Sequence, residues 1–254
     1  MIRIDLNCDM GESVGDRQTG ADEAVMPWIT SANIACGFHA GDSSVMRRTV
    51  AAAIAEGVAI GAHVGLPDRE GFGRRVMQLD AQIAYDITVV QVGALQAVAR
   101  SLGARVDHVK PHGALYHMLD ADAALGDAVA RAIRDVGPGL RVVGRSGGPW
   151  LAQAEHLGLA VLHEVFADRA YRGDGGLLAR SEPGACIDSP QAAADQAVQL
   201  VREQRVKAAD DQVLALRADT LCIHGDRDDA EAMARTIRER LEQAGIEVAR
   251  PPRD

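Results

Sequence analysis

Aromatic residues make up only 3% of the chain: three phenylalanines, three tyrosines and two tryptophans in 254 residues. So few rings leave little on which nucleic-acid bases could stack. The formal charge of −9 also removes the basic excess that would neutralise phosphates. No nucleic acid is expected as a partner. No apolar run approaches the ~20 residues that span a bilayer, so no membrane segment is expected. Four cysteines, Cys8, Cys36, Cys186 and Cys222, lie scattered without a CxxC pair. That spacing argues against a disulfide framework or a zinc ribbon. A Walker-type loop ending in Gly-Lys-Ser/Thr is missing, and the glycines at 144, 147 and 148 are too sparse to replace it. The sequence enters a strand pattern directly at Met1-Ile-Arg-Ile-Asp5, without the basic and apolar regions of a signal peptide. A cytoplasmic location is the expectation.

What is present is a repeated grammar of apolar strand, polar strand end and helix. Hydrophobic residues reach 47%, enough for one full-sized core. The segment Ser31-Ala-Asn-Ile-Ala-Cys-Gly-Phe-His-Ala-Gly-Asp42 sets the pattern. Asn33 to Cys36 reads as a buried strand, and Gly37 and Gly41 flank a tight loop that carries His39. Asp42 or Ser43 caps a helix that stops at Gly57. Before it, Ile2, Ile4 and Leu6 alternate with Arg3, Asp5, Asn7 and Asp9, the period-two signature of a strand with one polar face. Asp5 lies deepest on that face and is expected to pair with Lys110 or a histidine.

Further strands are expected at 58–62, 106–110, 141–144, 160–165 and 220–223. Helices are expected at 22–29, 80–102, 121–136, 148–156, 190–204 and 228–243, with a short extra strand at 246–249. Leu177 to Ala179 reads as the start of a small hairpin. Strands alternating with helices argue for a parallel sheet, either a barrel or a doubly wound sheet. The barrel is favoured because polar residues line one face of several strands, as a closed, ligand-bearing interior requires.

Four of the eight histidines, His39, His63, His112 and His224, fall at strand ends, the face where β/α folds carry their chemistry. Asp9, Lys110, Asp168 and Asp226 fall in comparable places. Histidine nitrogens with a carboxylate suit a divalent, zinc-like metal that activates water. No HExxH or HxH spacing singles out the ligands. Metal-free acid–base catalysis suits the same residues, with Lys110 holding an anion while His and Asp move protons. The third option is a buried ion network that merely closes the barrel. For the whole set that option is weak, because so many polar groups converging at one end are costly without a ligand. Arg69, Arg74 and Arg75 lie on a glycine-rich loop and suit an anion clamp or a solvated face equally. His117 and His156 read as helix-surface residues. Cys8, Cys36 and Cys222 read as small core residues.

Seven blocks carry a resemblance to a known family. They are Asp5-Leu-Asn-Cys-Asp-Met-Gly-Glu12, Ser31 to Asp42, Ala59-Ile-Gly-Ala-His63, Pro67-Asp-Arg69 with Phe72-Gly-Arg74, His108-Val-Lys-Pro-His-Gly113 with Leu115-Tyr116, Glu164-Val-Phe-Ala-Asp-Arg169 and Leu221-Cys-Ile-His-Gly-Asp226. In this order, over almost the whole chain, they resemble the LamB/YcsF family. The resemblance implies a single-domain, seven-stranded parallel β/α barrel akin to the glycoside hydrolase/deacetylase superfamily. It implies ATP-dependent opening of 5-oxo-L-proline to L-glutamate, with ATP as co-substrate and 5-oxoprolinase subunits B and C as partners. Departures are modest: Val64-Gly65 follows His63 where the family usually has a Pro-Ser-like pair, and Cys8 stands where alanine is usual. Val64 and Gly65 are expected to soften one pocket wall.

The chemistry suits these residues. A five-membered lactam is unstrained, so coupling to ATP helps, and phosphorylating its oxygen makes a leaving group. Asp9, His39, His63, Lys110, His112, His224 and Asp226 are then the candidates for chemistry. Asn7, Asn33, Arg69, Asp168 and Arg169 are the candidates for holding substrate. Two rivals share the barrel: a stand-alone metal-dependent amidohydrolase or deacetylase, and a non-catalytic lactam-binding subunit.

Overall fold

A computed structural model describes residues 2–13, 21–225 and 229–252. Asp226 therefore lies outside the described residues. The first strand, β1 (Ile2–Met10), is longer than its alternation alone suggests. Ile4, Leu6, Cys8 and Met10 are buried against the surrounding helices, while Asp5 and Asn7 are buried on the other face. After a short helix α1 (Asp22–Val25) come β2 (Ser31–Ala35), α2 (Ser43–Ala55), β3 (Ala59–Val64), α3 (Ala81–Ser101) and β4 (His108–Pro111). Then follow α4 (Gly113–Ala121), α5 (Ala123–Val136), β5 (Arg141–Arg145), α6 (Pro149–His156), β6 (Ala160–Phe166) and α7 (Pro190–Glu203). The chain continues through β7 (Arg205–Lys207), β8 (Val213–Ala215), β9 (Thr220–Ile223), α8 (Ala230–Gln243) and β10 (Ile246–Val248).

Strands β1 to β6 and β9 form one parallel sheet in that order, and β9 pairs back onto β1 to close a seven-stranded barrel. Register decides which side chains meet inside. Asp9 pairs with Asn33, Ala35 with His63, His63 with Lys110, Glu164 with Thr220, and Thr220 with Asp5. Since side chains alternate across each strand, these residues share the interior face. β10 adds to the outer half of β1, through Ile2↔Ile246 and Ile4↔Val248.

Several helices begin where the sequence supplies a cap. The Asp42 carboxylate accepts from the Ser44 and Val45 amides, both at 2.9 Å, Asp80 accepts from Ile83 N at 2.8 Å, and Ser189 precedes Pro190. α3 buries Ala84, Thr88, Val92, Leu95 and Ala99, a stripe at three- and four-residue spacing. Each fully buried Val or Leu in such a stripe contributes about 1.5–3 kcal/mol.

Three expectations are corrected. The helix read as 121–136 is α5, which begins at Ala123 because Asp122 is extended (φ −126°, ψ 105°) and its carboxylate caps Ala124 N; the helix before it, α4, was not expected. The antiparallel pair β7–β8 was not expected, and its three-residue strands are too short to show periodicity. Leu177 makes only an isolated bridge to Tyr171 rather than starting a regular hairpin. Among the described residues, no helix is long and apolar enough to cross a membrane.

Candidate active site

Deepest in the barrel lies Asp5, and its partners are three hydroxyls rather than Lys110 or a histidine. It accepts from Thr30 and Ser31 at 2.7 Å and from Thr220 at 2.6 Å. Burial nevertheless pushes its carboxyl above the ordinary value. One layer up, Asn33 donates to Asn7 Oδ1 and Asp9 Oδ1, both at 2.8 Å. His108 Nε2 meets Asn33 Oδ1 at 2.8 Å. It has room only because position 61 is glycine: a Cβ there would stand 2.0 Å from His108 Nε2. Burial, aided by the charges of Arg141 and Lys110, pushes the His108 imidazole down to about 3, so the ring is neutral. Asn7 and Asn33 thus belong to the network beneath the cavity rather than to its wall.

Lys110 is the hub of this network. Its Nζ stands 3.0 Å from Asp9 Oδ1, 3.2 Å from Asn7 Oδ1, 3.2 Å from Cys222 Sγ and 2.8 Å from Glu164 Oε1. The Glu164 contact is an ion pair rather than a well-aligned hydrogen bond, and Tyr116 donates to the other Glu164 oxygen at 2.8 Å. Burial opposes the lysine's charge, but Asp9, Cys222 and Glu164 hold its pKa well above the ordinary value. Burial likewise opposes the Asp9 charge, but His63 and Lys110 hold that carboxyl well below the carboxylate range. The ammonium is therefore committed to protein carboxylates. Cys222 is part of the buried core, as expected, and its Sγ also meets the Lys110 ammonium.

At the mouth, on the β1 to β4 side, Glu12, His39, His63 and His112 converge. Their side chains are 8%, 0%, 1% and 5% exposed, so the group is almost dry. His63 Nδ1 donates to Lys110 O at 3.0 Å, and His112 Nε2 donates to Phe72 O at 2.8 Å. His39 stacks on His112 with centroids 3.8 Å apart and planes 6° from parallel. A Cβ at position 65 would lie 2.3 Å from His39 Nδ1, and one at 73 would lie 2.8 Å from His39 Cβ. Gly65 is also clamped by the Gln91 amide in both directions at 2.9 Å. Neither Val64 nor Gly65 is among the residues that line the cavity; Gly65 leaves room for the His39 ring, and Val64 O accepts from His112 N. Burial pushes His39 and His112 well below the ordinary imidazole value. One ligand atom from each of the four residues lies within 4.8 Å of the others, and the group can hold a metal ion.

Across the mouth, beside β6 and β9, the arrangement differs. His224 Nδ1 lies 2.9 Å from both Asp168 oxygens, with Phe166 stacked beside the ring at 6.3 Å. Burial pushes Asp168 up, but His224 outweighs it and the carboxyl sits below its ordinary value. His224 is thus oriented by Asp168, a residue the sequence suggested for substrate. Between the two sides opens a cavity of about 720 Å³, a size common for small-molecule sites. Asp9, Glu12, His63, His112, His224 and Tyr116 line it, with Arg74, Arg169, Arg172 and Arg180 around its wall. His117, exposed as expected, also faces it.

Arg69 is placed elsewhere. Its guanidinium donates to Gly37 O at 2.7 Å and Gly41 O at 2.8 Å, bracing the loop that carries His39. Arg75 pairs with Asp68, and Arg169 is fastened to the carbonyls of Ala185 and Leu178 while still facing the cavity. Sequence reasoning missed Glu12, Glu164 and Tyr116 as site residues. For Glu164 a signal existed, since a buried lysine demands a second carboxylate beyond the one Asp9 supplies.

Known proteins match this chain over nearly its whole length. The LamB/YcsF family matches residues 4–253. The 5-oxoprolinase A subunit of Tolumonas auensis is 53% identical over 248 residues, covering 98% of this chain and 99% of that protein. The 5-oxoprolinase A subunit of Bordetella pertussis is 56% identical over 245 residues, covering 96% and 97%. The crystal structure of the lactam utilization protein from Thermus thermophilus superposes with a TM-score of 0.93 at 44% identity, covering 98% and 99%.

Proposed function

The chain belongs to the LamB/YcsF family, and from that premise we propose that it is the A subunit of a 5-oxoprolinase, opening 5-oxo-L-proline to L-glutamate. In this reading ATP is hydrolysed to ADP and phosphate, and subunits B and C complete the enzyme. The observation that carries the reading is the cavity: an oriented imidazole and buried carboxylates on its floor, with arginines around its wall.

Each demand of the reaction has a matching group. The lactam carries a carboxylate, and Arg169, Arg172 and their neighbours supply the positive field that would hold it or a transferred phosphoryl group. Phosphorylation of the amide oxygen draws electrons from the ring carbon and turns that oxygen into a leaving group. Water then adds to the carbon, and the C–N bond breaks as the nitrogen takes a proton, leaving an acyl phosphate. A second water adds to the same carbon and the C–O bond breaks, so phosphate leaves with the lactam oxygen and both water oxygens end in the new carboxylate. His224, its Nδ1–H directed at Asp168, keeps Nε2 for exchanging a proton with water or the leaving nitrogen. Lys110 takes a positioning role, fixing Asp9 and Glu164 rather than gripping substrate.

The deciding experiment is glutamate release from 5-oxo-L-proline and ATP, with this chain alone and with partner subunits B and C. Release that requires the full mixture and stops when this chain is omitted is the expected result. Release by the chain alone without ATP would replace the reading with a stand-alone amidohydrolase. Near wild-type release by both Lys110→Ala and His224→Ala would place the reaction elsewhere.

A further inference from the structure

The histidine group at the mouth has a shortage of hydrogens. A backbone carbonyl only accepts, so His63 must carry its proton on Nδ1 to reach Lys110 O, and His112 must carry its proton on Nε2 to reach Phe72 O. A neutral imidazole has one N–H. With both rings neutral, the remaining nitrogens, His63 Nε2 and His112 Nδ1, face each other at 2.9 Å with a lone pair each, and only a further proton shared with Asp9 or a metal cation can fill the gap. Around them stand further acceptors: Asp9 Oδ2 at 3.1 Å from His63 Nε2 and Glu12 Oε1 at 3.4 Å from His112 Nδ1. His39 Nε2 lies 3.4 Å from the same Glu12 oxygen. Its ring is fully buried, and neither nitrogen makes a hydrogen bond. Converging lone pairs in a dry place repel unless something positive lies among them.

We propose that Glu12, His39, His63 and His112 bind a divalent transition-metal ion of the zinc class. Three imidazoles select such an ion over magnesium or calcium, which prefer oxygen ligands. Bonds of about 2.0–2.1 Å in a tetrahedral shell put neighbouring ligand atoms about 3.3 Å apart. The observed separations, 2.9, 3.4, 3.4 and 3.9 Å, bracket that value. The Lys110 and Phe72 carbonyls then act as outer partners that fix ring orientation, as metal-bound histidines commonly require. His39 sits on the closed side, held between Gly65 and Gly73, whereas Glu12, His63 and His112 line the cavity. Four protein ligands fill a tetrahedral shell, so the ion would polarise a carbonyl oxygen or a water only by taking it as a fifth ligand, on the side where Glu12, His63 and His112 line the cavity.

The test needs neither lactam, ATP nor partner chains, so its failure is separable from failure of the lactam reading. The purified chain is stripped with chelator, reloaded with zinc or cobalt, and read by elemental analysis and by cobalt absorption. About one ion per chain is expected, with affinity falling at least about ten-fold in His39→Ala and in His112→Ala. His156→Ala, exposed on α6, leaves binding unchanged. Circular dichroism checks that each variant folds. If one does not, the wild-type cobalt spectrum decides, and absence of the intense bands of four-coordinate cobalt overturns the proposal. So does binding that survives both substitutions. So does a chain that, with zinc in excess, still shows one proton shared by His63 and His112 in imidazole NMR.

Discussion

On the β1 to β4 side of the mouth, His63 and His112 give their N–H groups to backbone carbonyls, and their remaining lone pairs turn toward one another and toward carboxylates. On the β6 and β9 side a single imidazole gives its Nδ1–H to Asp168 and keeps its other nitrogen for the cavity, with arginines nearby. The same residue type therefore meets opposite electrostatics within one pocket. The first side concentrates negative potential and suits a cation. The second concentrates positive charge around a ring that can exchange protons, and suits an anionic substrate. Lys110 separates the two, because its ammonium neutralises Asp9 on one flank and Glu164 on the other.

The largest effect should come from removing that divider. Lys110→Met takes the ammonium from two buried carboxylates, leaving Asp9 with His63 and Asn33 and, among the described residues, Glu164 with only the Tyr116 hydroxyl. A loss of about 3–5 kcal/mol is expected in urea unfolding. An unchanged midpoint would mean the two sides do not depend on it. Next, His224→Ala should lower glutamate release in the assembled enzyme by about 10²–10⁴-fold while leaving metal content intact. Metal lost along with activity would erase the distinction between the sides. Gly65→Ala should act on the other side alone. Its new Cβ meets the His39 ring, at a cost of about 1–3 kcal/mol and with weakened metal retention. Calorimetry of that variant at matched metal load separates the two effects.

The smallest effect per step is in acid. His108 is held down at about 3, against about 6.5 in an unfolded chain. Between those values the unfolded chain binds the extra proton, so stability falls as pH drops from about 6.5, by at most about 1.4 kcal/mol per unit. Asp9, held below its ordinary range, adds a second loss only at lower pH, beneath about 4. Urea midpoints across pH 7 to 4 should show the histidine limb first. A midpoint flat down to pH 5 would mean His108 is not the neutral ring the packing requires.

Much of this was written in local pattern. The alternation of Ile4, Leu6 and Cys8 with Asp5, Asn7 and Asp9 identifies an inward polar face, and the caps at Asp42, Asp80 and Ser189 locate three helices. Partnership was less legible, because it depends on register between strands distant in sequence. Nothing near Lys110 announces that Glu164 will meet it, and nothing near Asp168 announces His224, 56 residues away. Polar identity alone also misled for Asp5. A carboxylate deep in a strand suggested a cation, yet three hydroxyls take that place. Asp122 shows a further limit, since one residue ends α4 and caps α5 without a glycine or proline to mark the break.

The hydrogen bond from His112 Nε2 to the Phe72 carbonyl carries a consequence for the loop over residues 65–75. A Cβ at Gly73 would stand 2.8 Å from His39 Cβ and 3.0 Å from His112 Cδ2, and Arg74 lies over the Phe72 ring at 5.0 Å. Loop and rings are therefore linked thermodynamically, and whatever steadies one must steady the other by an equal free energy. Arg74 and Arg75 make that coupling readable as a rate, because trypsin can cut only when the segment swings away from the rings. Occupation of the mouth should then lengthen the lifetime of that peptide bond, turning a surface loop into a gauge of what lies beneath it.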